Sequence, residues 1–170
     1  MPHAFVLVAG PPGAGKSTVA RPLAHRLGLT LLDKDAIKES LMGVLGPPAS
    51  VEESREFGRA AVMALLTVAA TSPGAVLDST FYPYTVEHLR ALPGRLIEIR
   101  CVCPPEIVTA RYRARSPTRG PGHFDDQRPA QELLSEHHFT PLGLGPLIEL
   151  DTSGEVDVGA LADDVRALSA

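Results

Sequence analysis

Nine residues near the start of the chain, Gly10-Pro-Pro-Gly-Ala-Gly-Lys-Ser-Thr18, set three glycines beside a lysine and two adjacent hydroxyls. The spacing fits G-x-x-x-x-G-K-[ST], a loop whose backbone N–H groups close around a phosphate. Glycine lets the backbone come close to the anion. A helix starting near Lys16 aims the positive end of its dipole at the same point. The Lys16 ammonium suits the β- and γ-phosphates of a nucleotide, and the Ser17 hydroxyl suits Mg²⁺. Gly10, Gly13, Ala14, Gly15, Lys16, Ser17 and Thr18 are therefore the expected nucleotide contacts.

Polar residues elsewhere fall where later strands should end. Asp33 and Asp35 follow a short strand, Leu29–Leu32. A carboxylate placed there accepts the proton of a hydroxyl as its oxygen attacks phosphorus. An Asp just before a helical pattern also serves as that helix's N-cap. Asp35 carries both readings. Asp33 reads as a carboxylate ordering water around Mg²⁺, or as a solvated strand end. Asp78 follows Ala75-Val-Leu77 and reads as a carboxylate polarising metal-bound water, or as an Asx turn. Ser17, Asp33 and Asp78 are the metal candidates.

Arg111, Arg113, Arg115 and Arg119 form a basic run without interleaved acids, and Arg111 and Arg115 share a helix face. Guanidinium groups closing over a transferring phosphoryl group stabilise its charge; a solvated basic face is the other reading. Phe81, Tyr82 and Tyr84 offer a stacking surface or simple packing. Arg55 and Arg59 suit an anionic substrate group or plain surface charge, and His123 suits a substrate contact or none.

The elements that must position these groups alternate. Ala4–Ala9 reads as a buried parallel strand, and Val19, Leu23 and Leu27 as one face of the helix after the loop. Further strands are expected over Leu29–Leu32, Ala75–Leu77, Leu96–Val102 and Leu147–Leu150. Helices are expected over Asp35–Leu45, after Ser50 with Glu53 as a capping box, over Thr85–Leu92, from Pro105 to about Ala114, over Gln127–His138 and over Val156–Leu168. The helix after Ser50 should bury Phe57, Ala61, Leu65 and Val68. Ser116–Gly122 is rich in Pro, Gly and Arg and reads as a mobile loop.

Composition narrows the class. The chain has 170 residues, enough for one well-buried domain, and a formal net charge of −4, which does not suggest a broad nucleic-acid footprint. No run of eighteen apolar residues exists, so no membrane span is expected, and the first residues do not read as a secretory signal. Cys101 and Cys103, two apart in an apolar run, should face one side of a strand as reduced, buried thiols in a cytoplasmic protein. Nothing in the sequence indicates an oligomeric state.

On these residues the chain resembles small P-loop kinases of the nucleoside-monophosphate-kinase-like superfamily. It is most similar to the ATP-dependent kinases grouped with chloramphenicol phosphotransferase, zeta toxins and polynucleotide 5′-hydroxyl kinases. Gly10–Thr18 matches their P-loop. Asp33-Lys34-Asp35 resembles the Asp-x-Asp after strand two in shikimate kinases, which implies Asp35 as base toward the acceptor hydroxyl. Val76–Thr80 resembles the strand-three end of the polynucleotide kinases, and the glycine-rich strand-three end of the shikimate kinases is missing. Arg111–Arg115 resembles a lid helix whose arginine contacts ATP phosphates. That implies Lys16, Arg111 and Arg115 as catalytic partners of Asp35, with Arg115 also on the nucleotide. Leu150–Ser153 resembles the loop flanking adenine, which implies Asp151 and Thr152 as nucleotide contacts.

The resemblance spans nearly the whole length. It implies one domain over 1–170 with a three-layer α/β/α P-loop NTPase fold, a five-stranded parallel sheet and a short lid at about 111–126. The activity implied is a Mg²⁺- and ATP-dependent phosphotransferase acting on a hydroxyl of a small molecule. A polynucleotide 5′-hydroxyl kinase and an ATPase switch acting on a partner protein are the alternatives. The chain contains no asparagine, so the guanine-binding Asn-Lys-x-Asp of GTPases is absent.

Overall fold

All six residues of the first strand, β1 (Ala4–Ala9), are buried, as an uninterrupted apolar run requires of a strand covered on both faces. Its side chains alternate between two core layers, Val6 and Val8 into one, Phe5, Leu7 and Ala9 into the other. The computed structural model describes residues 3–116, 119–120 and 122–169. Pro117, Thr118 and Pro121 of the expected loop at 116–122 lie outside the described residues, as do Met1 and Pro2.

Four more strands, β2 (Thr30–Asp33), β3 (Ala75–Asp78), β4 (Arg95–Val102) and β5 (Leu147–Asp151), complete a parallel sheet in the order β2-β3-β1-β4-β5. On one face lie α1 (Lys16–Leu27), part of α5 (Pro105–Arg115) and α7 (Val158–Ser169), which bury Leu23, Val108, Leu161 and Val165. On the other, α3 (Val51–Thr71) and α4 (Val86–Arg90) bury Leu65, Leu66 and Leu89, with α2 (Lys34–Leu45) packed along α3. The remaining helix, α6 (Ala130–Leu133), is a single turn.

The strand register sets the active end. Val8 pairs with Asp78, and Asp78 with Asp33, so β1, β3 and β2 finish level at their carboxyl ends. Ser50 caps α3 by accepting from the Glu53 amide at 3.2 Å, and Glu53 reaches back to the Ala49 amide at 2.6 Å. Spacing admits two adjacent rows on α3. The sheet takes Ala61 and Leu65 with Val62, Leu66 and Ala69, and leaves Val68 half exposed, contrary to expectation. The single helix expected over Gln127–His138 is broken. Pro129 forces Arg128 to an extended conformation, φ −89 and ψ 128, and Ser135 is extended again, which leaves 3₁₀ turns at Asp125–Gln127 and Glu136–His138 around α6. Cys101 and Cys103 are free and buried in the same core layer, with Cys103 just past the end of β4. Burial pushes the Cys101 thiol up to about 12, which makes it inert.

Alternation in β4 suggests a half-solvated strand, yet Glu98 and Arg100 are 1% and 2% exposed. They face each other at 3.1 Å. Arg100 donates to the carbonyls of His138 and Thr140, and Glu98 accepts from the amides of Leu142 and Gly143. The pair thus fastens the connector before β5 onto this face of the sheet. Because breaking a buried pair strands the remaining charge, Glu98→Gln is expected to cost about 3–5 kcal/mol in urea denaturation.

Candidate active site

The loop between β1 and α1 is clamped from below. A Cβ on Gly10 (φ 135) would lie 2.6 Å from the Cys101 carbonyl oxygen, and one on Gly13 (φ 93) would lie 2.6 Å from the Val108 carbonyl oxygen. Backbone proximity to β4 and α5 therefore requires glycine at both positions. Buried Thr152, just after β5, donates from its hydroxyl to the Ala14 carbonyl at 2.7 Å and fixes the loop from the far side. The Lys16 ammonium donates to the carbonyls of Gly10 (3.0 Å) and Pro11 (2.9 Å). Burial lowers its pKa, against the attraction of Asp78.

Asp78 is 3% exposed. Burial raises its pKa, opposed by Lys16 and by a hydrogen bond from Ser17. Its Oδ2 is buried without a hydrogen-bond partner. Among the described residues no cluster of three or more His, Cys, Asp or Glu stands ready to cage a metal. Mg²⁺ needs none, because it keeps several waters and takes one or two protein oxygens plus phosphates. Ser17 and Asp78 supply such oxygens, and the unpartnered Oδ2 is the kind of atom a cation satisfies. The residues present fit Mg²⁺ and a nucleotide.

Asp33 and Asp35 divide the two roles that the sequence left open. Asp33 is the N-cap of α2, its Oδ1 accepting from the amides of Asp35 (2.9 Å) and Ala36 (3.2 Å). Its Oδ2 lies 3.8 Å from Arg21. Asp35 caps nothing and turns into a cavity of about 300 Å³ that runs along the P-loop. One oxygen meets Lys34 at 2.5 Å and the other Arg119 at 2.5 Å. Burial alone would raise its pKa; Lys34 and then Arg119 outweigh it and hold the carboxyl well below the usual range.

The structure sorts the basic run. Arg111 lines the P-loop cavity and donates to the carbonyls of Thr152 (2.7 Å) and Ser153 (3.1 Å). Arg115 lines the cavity, with Nε 3.6 Å from Asp125 and its guanidinium 4.8 Å from the Tyr112 ring centre. Arg119 lines the cavity too and meets Asp35. Besides Asp35 it donates to both oxygens of Asp125 (3.3 and 3.0 Å), which Tyr112 holds through its hydroxyl at 2.9 Å. Helix-face spacing favoured Arg111 and Arg115. Arg119 lies beyond the end of α5, where that periodicity does not apply. Asp151 is exposed and accepts from the Ser153 amide at 2.8 Å, so its carboxylate closes its own turn and lines neither nucleotide-side cavity. Thr152, Gly15 and Arg111 do line a second cavity beside the P-loop.

Beyond Asp35 a further cavity of about 220 Å³ opens between α2, α3 and the segment carrying α6. Its charged walls are Lys34, Lys38, Arg55, Arg59 and Arg128, against the single carboxylate of Glu132. Tyr82 and Tyr84 stack on its edge, centroids 5.9 Å apart and 8° from parallel, while Phe81 packs into the core. Lys38 is buried and donates to Ser54 Oγ at 2.7 Å, and Ser54 donates to the Gly122 carbonyl at 2.6 Å. Burial, then Lys34 and Arg128, bring Lys38 down to about 8. His123 is buried with Nε2 3.4 Å from Glu39, and burial, then Arg119 and Lys38, bring it down to about 4. Lys34, Lys38 and Arg128 had no distinguishing sequence signal. Only the fold turns them toward one space.

A 2-3-1-4-5 parallel sheet with this loop at the end of its central strand is the fold of the small P-loop kinases. The model of the AAA_33 family, an AAA domain, matches residues 5–133, and the chain belongs to that family. The chain is similar in structure to a “putative kinase” from Chloroflexus aurantiacus j-10-fl, with a TM-score of 0.87 and 32% identity over 99% of both chains. A gluconokinase from Sinorhizobium meliloti 1021 shares the fold with a TM-score of 0.60 and 17% identity, covering 97% of this chain and 90% of that one. In sequence, the shikimate kinase of Thermobifida fusca is 44% identical over 73 residues, 42% of each chain. The chain thus spans less than half of that relative's length. The shikimate kinase of Francisella tularensis subsp. novicida is 28% identical over 138 residues, 76% of this chain and 74% of its own. No helix among the described residues is long and apolar enough to cross a membrane.

If Asp33 serves α2 as its cap, Asp33→Ala should lower stability by about 1 kcal/mol, and Asp33→Asn should restore it. Both variants should keep the Mg²⁺ dependence of nucleotide binding, measured by calorimetric titration of ATP with and without the metal. Loss of that dependence would return Asp33 to the metal.

Proposed function

We propose that the protein is an ATP-dependent phosphotransferase that phosphorylates a hydroxyl of a small anionic molecule, with Asp35 as the base. The observation that carries this reading is the place of Asp35. It lines the P-loop cavity beside Lys34, and Lys34 and Lys38 line both that cavity and a second, strongly cationic one. The relatives that are kinases of shikimate and gluconate support the choice of a small hydroxylated acid over a polynucleotide end. So does the size of the second cavity.

Bound Mg²⁺-ATP supplies the transferable γ-phosphoryl group and the metal's charge. The P-loop amides and Lys16 would bind its phosphates, and Ser17 and Asp78 would hold the metal. Asp35, kept ionised by Lys34 and Arg119, only accepts hydrogen bonds, so it orients the acceptor hydroxyl. The hydroxyl oxygen bonds to phosphorus, its proton passes to an Asp35 oxygen, and the bond to the leaving ADP oxygen breaks. A carboxylate held this low is a weak base at rest. Positioning and charge stabilisation by Lys16, Arg115 and Arg119 therefore carry most of the acceleration. Arg111 acts at one remove, by holding the loop at Thr152 and Ser153.

Asp35→Ala should keep ATP affinity and lose at least about a hundredfold in transfer. The assay follows labelled γ-phosphate from Mg²⁺-ATP into pooled hydroxy acids, sugars and nucleosides, and full transfer by the variant would remove Asp35 from the mechanism. A second outcome follows from Lys38. Its folded pKa lies near 8, so it loses its charge as pH rises through that value. For an anionic acceptor kcat/KM should decline above pH 8, and Lys38→Arg, charged throughout, should abolish that decline.

A further inference from the structure

The acceptor-side cavity has five cations in its walls and one anion, and the anion is not placed at random. Glu132 stands between two arginines from different parts of the chain. Its Oε1 accepts from Arg128 Nη1 at 3.0 Å, and its Oε2 accepts from Arg55 Nη2 at 3.2 Å. Each carboxylate oxygen thus takes one guanidinium, as a bound carboxylate or phosphate would. Arg128 still has a buried Nε without a partner.

We propose that Glu132 occupies, as an internal carboxylate, the subsite for the anionic group of the acceptor, and so determines which acceptors bind. The inference rests on the reading of this cavity as the acceptor site. An acceptor enters by exchanging its own anion for that of Glu132. A neutral polyol meets two arginines already satisfied and gains nothing from them. A carboxylate or phosphate displaces Glu132, recovers both contacts and has Lys38 and Arg59 in the same walls to attract it. The exchange needs little movement. Leu133 is buried and anchors α6, so turning the Glu132 side chain, about a quarter exposed, frees both guanidinium groups.

The experiment is calorimetric titration of inorganic phosphate and, separately, D-gluconate into the full chain saturated with Mg²⁺ and the β,γ-imido analogue of ATP. Filling the nucleotide site first keeps phosphate off the P-loop, and the analogue's own binding isotherm reports on the kinase reading independently. Glu132→Gln should bind at least one of the two anions about fivefold more tightly than the parent, the scale that a partly exposed ion pair commands. Glu132→Ala should gain as much. The gain should vanish when Arg128→Gln is added to Glu132→Gln. Which anion responds distinguishes a carboxylate subsite from a phosphate one. Unchanged or weaker anion binding in both Glu132 variants, with analogue binding intact, would overturn the proposal by making Glu132 a support for the arginines or a direct acceptor contact. Absence of anion binding to all three proteins would overturn it as well. Loss of analogue binding in the parent would instead sink the kinase reading.

Discussion

A strand with no solvent on either face can deliver polar chemistry only at its end. β1 is that strand here, with no residue more than 5% exposed, and the rest of the molecule follows from the constraint. The strand ends at Ala9, and the loop begins at Gly10. The parallel register brings β2 and β3 to the same level, so Asp33 and Asp78 emerge beside the loop rather than above or below it. Gly10 and Gly13 then have to be glycine because β4 and α5 press on them from the core side, before any phosphate is considered. Packing and ligand recognition ask for the same residues.

Charge at this end is organised as a gradient between two kinds of acid. Asp78, desolvated and answered by Lys16 and Ser17, has its pKa pushed up. Asp35, between Lys34 and Arg119, has its own pushed down. Two carboxylates on one edge are thereby assigned different protonation behaviour by their neighbours alone. The cations that do this are not surplus. Lys34 and Arg119 hold Asp35, Asp125 holds Arg119, and Tyr112 holds Asp125. Each charge in the chain is balanced by the next, out to a phenol whose pKa burial pushes up and which stays neutral.

The sequence made the loop, the sheet and most helix boundaries legible because each has a local cause, such as an apolar run, a glycine pattern, or Ser50 followed by Glu53. Asp35 was legible as a candidate, but its separation from capping was not. That depended on which of two nearby carboxylates met the α2 amides, and the extended backbone of Asp33 decided it. Arg119 was legible as part of a basic run but not as the partner of Asp35, and Lys38 and Arg128 were not legible at all, for one shared reason. They come together only when α2, α3 and the segment after α5 fold onto one another, and no spacing rule spans those separations. The break at Pro129 was the one local signal passed over. A single helix over 127–138 would have lost the extended residue at Arg128 and the separate turn that carries Glu132.

The segment after α5 has no sheet strand beneath it, so its position is owed to side chains alone. Several contacts among the described residues fasten it. Arg119 and Asp125 join it to Asp35 and Tyr112, Gly122 to Ser54 and Lys38, and Glu132 to Arg55. Each of these fastenings uses a residue that also lines a cavity. The side chains that hold the segment are therefore among those that wall the two spaces.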